Sequence, residues 1–136
     1  MTAAANGPEI AAFVANTLKA TRAGKLDWEQ SDSGQLVAAL DADYSVTLEK
    51  VGDFDGQTED PDHILTLLQG QKTIFAVDRR YVSGDDFGSA LDEPVEYSYR
   101  VFSELWRRAL LRASHVEEHL NKVNRLLEGQ LSRSRR

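Results

Sequence analysis

The chain has 136 residues, 41% of them hydrophobic and 28% charged, with 22 acidic against 16 basic side chains for a net charge of −6; this is the balance of a single soluble domain with its own core, and it excludes a wholly disordered polymer. With no cysteine, disulfides, thiolate zinc sites and cysteine nucleophiles are excluded, and a reducing, cytoplasmic setting is expected. No apolar run approaches the roughly 20 residues that span a bilayer, and the residues from Met1 to Asn6 lack the basic and apolar regions of a signal peptide, so no membrane association is expected.

Asn6-Gly7-Pro8-Glu9 opens a first helix, with Pro8 near a position where a missing N–H costs nothing and Glu9 in the first turn. Ile10, Phe13, Val14, Thr17, Leu18 and Thr21 then recur at helical spacing as far as Gly24. Trp28, in the short link that follows, is expected to plug the edge of the core. From Gly34 the period changes to two: Leu36, Ala38 and Leu40, a turn at Asp41-Ala42-Asp43, then Tyr44, Val46 and Leu48 predict a hairpin with one solvated face. Gly52 to Asp62 interrupts the pattern with Asp53, Asp55, Glu59, Asp60 and Asp62. His63 to Gln69 and Lys72 to Asp78 flank Gly70 as a second hairpin, although Ile64, Leu65, Leu67 and Leu68 do not alternate and leave a short helix open for the first of these runs. Arg79 to Pro94, punctuated by Gly84 and Gly88, reads as a loop.

Glu96 to Glu128 contains neither Pro nor Gly and is predicted as one long helix, with Gly129 in the place of a C-cap glycine. Tyr99, Phe102, Trp106, Ala109, Ala113, Val116, Leu120, Val123 and Leu127 follow each other at alternating spacings of three and four, so all nine share one stripe, widened by Leu105, Leu110 and Leu126. The fold class is therefore α+β: an N-terminal helix, a four-stranded antiparallel meander, and a long C-terminal helix packed on one face of the sheet and extending beyond it. Residues 1–129 are expected to form one domain and residues 130–136, ending Ser-Arg-Ser-Arg-Arg, a disordered basic tail.

No constellation of residues specifies catalysis. His115-Val116-Glu117-Glu118-His119 has the order of one class of zinc peptidase, but only 17 residues follow it and Glu128 is the single carboxylate among them, so no third ligand is in prospect. Asp53-Phe54-Asp55-Gly56 would set Val51 at the first position of a calcium loop, where an oxygen is required. Ser83-Gly84-Asp85-Asp86-Phe87-Gly88 lacks the Lys and the Ser or Thr of a phosphate loop, His63 reads as a strand-end residue, and no G-x-S-x-G elbow occurs. Catalytic residues, cofactor ligands and metal ligands are accordingly set at none, and no enzyme is expected.

What remains is a surface. A helix of 33 residues is about 50 Å long, whereas strands of seven or eight residues reach only about 25 Å. Its second half has no local surface to cover, yet it carries Val116, Leu120, Val123, Leu126 and Leu127. These five are the predicted interaction residues, for a second copy of the chain or another protein, in an adaptor, chaperone-like or regulatory role played through the helix or a sheet edge. The rival arrangement breaks the helix near Ser114 and folds it back over the sheet. Size and acidic charge are comparable with those of small α+β dimers that chaperone bacterial secreted effectors, a likeness of bulk properties alone. Residues 1–99 carry 18 acidic and 7 basic side chains and residues 100–136 carry 4 and 9. The alternative function is thus nucleic-acid or metal binding through the basic end or the His115/His119 pair; with no aromatic interleaving among the bases, internal pairing with the acidic body is preferred.

Overall fold

A computed structural model describes residues 7–52 and 62–134. The first helix, α1 (Gly7–Arg22), buries Ala11, Val14, Ala15, Leu18 and Thr21, the stripe that its spacing sets up. It ends at Gly24, whose φ of 70° places it in the left-handed region, so that the Lys25 N–H can reach the Ala20 carbonyl at 2.9 Å. The sheet follows as β1 (Glu29–Gln30), β2 (Leu36–Ala39), β3 (Tyr44–Val51), β4 (Asp62–Gln69) and β5 (Lys72–Val77), an antiparallel meander in the order β1-β2-β3-β4-β5. His63 to Gln69 is thus a strand. Five strands stand where four were predicted, because β1 has only two residues and is held by pairing Glu29 with Val37 and Gln30 with Leu36, with no periodicity of its own.

Register separates the two faces of the sheet. Leu36, Leu48, Leu65 and Val77 lie opposite one another across four strands, as do Ala38, Val46, Leu67 and Phe75, and these rows form the sheet's side of the core. The other face carries Val37, Thr47, Thr66 and Ala76 in one row and Ala39, Ser45, Leu68 and Thr73 in the next. A register shift between Leu67 and Leu68 bulges the pairing of β4 with β5.

The segment from Arg79 to Pro94 is more than a loop: a single 3-10 turn (Arg79–Tyr81) leads into α2 (Gly84–Leu91). Its cue was present in the sequence, since the Ser83 hydroxyl accepts from the Asp86 N–H at 3.1 Å as an N-cap, acidic residues fill the first turn, and Phe87 and Leu91 bury one face. Glycine at position 84 answers a close approach of backbone. A Cβ there would lie 2.7 Å from the Val95 carbonyl oxygen and 3.0 Å from that of Glu96. Gly84→Ala should therefore destabilise the fold by about 1–3 kcal/mol, the range for overpacking, measured as a lower urea midpoint with an unchanged slope.

The long helix is broken. α3 (Ser98–Ala113) ends at Ser114, and His115 takes a φ of 53° before α4 (Val116–Ser134) begins. Neither Pro nor Gly is needed, because histidine is among the few side chains enriched in the left-handed region. The His115 N–H bonds to the Arg112 carbonyl and the His115 carbonyl accepts from the His119 N–H, closing one helix and starting the next. α3 lies on the sheet over β1, β2 and β4 and buries Val101, Phe102, Leu105 and Ala109, while α1 packs against α2 and α3. Trp28 is fully buried, and its indole N–H donates to the Thr21 hydroxyl at 3.0 Å.

Candidate functional site

The predicted surface falls almost wholly on α4, and nothing in the described part of the chain folds over it. Leu120 is 55% exposed, Val123 47%, Leu126 60% and Leu127 51%. Val116 begins the helix, and its side chain lies outside the described residues. The rival arrangement is met in one respect only: the helix breaks near Ser114, but its apolar stripe stays in solvent and α3 is its principal neighbour. α4 also runs through Gly129, which is interior to the helix rather than its cap, and on to Ser134. Residues 130–134, set down as tail, are therefore helical, and Leu131, 62% exposed, continues the stripe at the next position of the same face. Leu131 is not legible in the sequence as part of the stripe, because Gly129 has the place of a helix stop.

The energetics make this stripe the most unusual feature of the molecule. Full burial of a Leu or Val contributes roughly 1.5–3 kcal/mol, so side chains about half exposed leave about 1 kcal/mol each unrealised. A helix of 19 residues with no packed face is only marginally stable in water. Scattered exposed aliphatic residues are ordinary; four leucines and a valine on one side of a single helix are a patch of the kind that marks a contact surface.

Among the described residues the other candidates do not assemble. His115 and His119 are one residue set before α4 and one in its first turn, both exposed, with His115 Nδ1 3.5 Å from Glu118 Oε1. Among the described residues no group of three His, Asp or Glu could hold a metal ion. Asp53, Asp55, Glu59 and Asp60 of the acidic loop lie outside the described residues. His63 stands at the start of β4, the strand end expected of it, and is buried there with its ring 5.3 Å from that of Trp106. No described helix is long and apolar enough to cross a membrane.

Part of the basic end is paired with the acidic body. Arg112 reaches Asp27 at 2.9 Å, whereas Arg108 pairs within its own helix, with Glu104 at 2.6 Å. Glu104 is also gripped by Arg22 through both oxygens, at 2.7 and 2.8 Å, and Arg22 extends to Glu93 at 2.8 Å, tying α1 to α3 across 82 residues. The Arg22 guanidinium, with Arg108, holds the Glu104 carboxyl down at about 2, from an ordinary value of 4.5. A depressed carboxylate stabilises the fold fully above its unfolded value and ceases to do so as pH falls through its folded one. Between pH 7 and pH 3 the wild type should therefore lose at most about 2 kcal/mol more than Glu104→Gln, compared by urea denaturation at the two pH values.

Comparison with family models, with curated proteins and with solved structures finds no match in any of the three, so function has to be read from this chain's own residues.

Proposed function

We propose that the chain is a non-enzymatic protein-interaction module, of an adaptor, chaperone-like or regulatory kind, that acts in the cytoplasm through α4 and pairs there with a second copy of itself. The observation that carries this is the row Leu120, Val123, Leu127 and Leu131, with Leu126 beside it, left in solvent on a helix that leaves its own domain at His115. The two edges of the sheet favour α4 over strand addition. β1 is two residues long, and β5 begins at Lys72 and pairs through a bulge, both devices that blunt an edge. Two α4 stripes laid together form a closed two-fold contact, in which each covers the other. Gel filtration coupled to light scattering tests it: a dimer mass at tens of micromolar supports the pairing, and a monomer there removes it.

A further inference from the structure

At the end of the sheet away from the β4–β5 turn, β3 and β4 face α3 across a cleft of about 650 Å3, whose walls include Lys50, His63, Arg100, Ser103, Trp106 and Arg107. Lys50 and His63 lie opposite each other in the pairing of β3 with β4, and Arg100, Ser103 and Arg107 succeed one another at helical spacing on α3. Among the described residues that line the cleft, the charge is the reverse of the chain's. In the body of the domain Arg22, Arg79, Arg80, Arg108 and Arg112 each have a carboxylate partner within 4 Å, whereas among the described residues Lys50, Arg100 and Arg107 have none. Glu104, the carboxylate on the wall, is already committed to Arg22 and Arg108. Arg100 lies over the Tyr97 ring and interacts with Tyr99, but no described carboxylate within 4 Å pairs with it, with Lys50 or with Arg107, and an anion held between them would meet all three. A second, independent feature points the same way: the Ser103 hydroxyl is buried without a hydrogen-bond partner among the described residues, an arrangement that folded proteins avoid.

We propose that this cleft binds a small oxyanionic ligand, a carboxylate or a phosphate. Arg100 and Arg107 supply planar donor forks suited to either group, Lys50 adds a point charge from the sheet side, and the Ser103 O–H is a donor at the floor. The half-buried Trp106 offers an apolar wall to whatever carries the anion. The volume lies in the usual range for small-molecule sites. The cleft shares no lining residue with the exposed stripe of α4, and its standing does not depend on self-pairing.

Titration of the 15N-labelled protein at low ionic strength, with inorganic phosphate in one arm, citrate in a second and chloride as control, decides it. The expected result is saturable shifts at Ser103, Arg107 and the Trp106 indole, with a dissociation constant at or below about 1 mM. Saturation by phosphate alone assigns the phosphate class, and by citrate alone the carboxylate class. Lys50→Gln with Arg107→Gln should weaken binding about tenfold or more, and Lys72→Gln, at the opposite end of the sheet, should leave it unchanged. Should the double variant fail to fold, Ser103→Ala takes its place and must weaken saturation. Shifts that do not saturate, that follow chloride equally, or that survive these variants overturn the proposal.

Discussion

Leu120→Glu combined with Leu127→Glu should convert a dimer into a monomer and at the same time reduce the far-UV helical signal by roughly a third. The size of the second effect follows from the helix inventory, since α4 has 19 residues against 16, 8 and 16 in the other three helices. Most helical stability comes from packing of an amphipathic face rather than from propensity, so with the pairing proposed above α4 would draw much of its stability from the second copy. Leu120, Val123, Leu126, Leu127 and Leu131 on two copies make ten half-exposed side chains, worth roughly 10 kcal/mol gross when covered. Association costs on the order of 4–15 kcal/mol, so the gain exceeds the cost only toward the lower end of that range and leaves at most about 6 kcal/mol, a contact with a dissociation constant of tens of micromolar. Two glutamates per copy remove four of the ten and place four carboxylates in the seam, so the balance tips decisively. The domain itself should survive, because none of the five side chains belongs to the core; an unchanged urea midpoint for the remaining signal checks this. A variant that stays dimeric would move the contact away from the stripe.

Trp28→Ala should cost about 3–5 kcal/mol, the range for truncating a large buried aromatic side chain, against a total stability of about 5–15 kcal/mol for a folded domain. Trp28 has no exposed surface to speak of, and its indole N–H donates to the Thr21 hydroxyl, which in turn donates to the Thr17 carbonyl at 2.7 Å. The residue thus ties the end of α1 to the start of β1 and closes one end of the core. Trp28→Phe keeps most of the volume and forgoes only the hydrogen bond, so it should lose about 1 kcal/mol more than packing alone predicts. Urea denaturation followed by circular dichroism compares the three proteins without relying on tryptophan fluorescence. Equal midpoints for wild type and Trp28→Ala would contradict the burial.

By itself the amino-acid sequence determined the α+β order of elements, the first helix, the first hairpin and the stripe on the last helix, because each of these is written in local terms; for His63 to Gln69 it left strand and short helix both open, and pairing with β3 and β5 decided for the strand. A period of 3.6 or 2, a Pro near a helix start and a glycine at position 24 act within one or two turns of chain. The exposure of Leu120, Val123, Leu126 and Leu127 was legible in the same way, from a helix too long for its sheet. What only the tertiary structure decided lies beyond that range. β1 is a strand because β2 is beside it, Arg22 meets Glu104 from 82 residues away, and Lys50 and His63 share a cleft with α3 only after the sheet has formed. The break at Ser114 and His115 was legible only as an alternative, since helix propensity there is moderate rather than prohibitive and permits either a continuous helix or a left-handed residue. α2 was obscured by Gly84 and Gly88, which signal a turn locally but are present because the backbone from Glu93 to Glu96 passes close over the helix. Local preferences of a few tenths of a kcal/mol per residue set the elements, and contacts between distant residues, each worth more than that, choose among the arrangements those preferences allow.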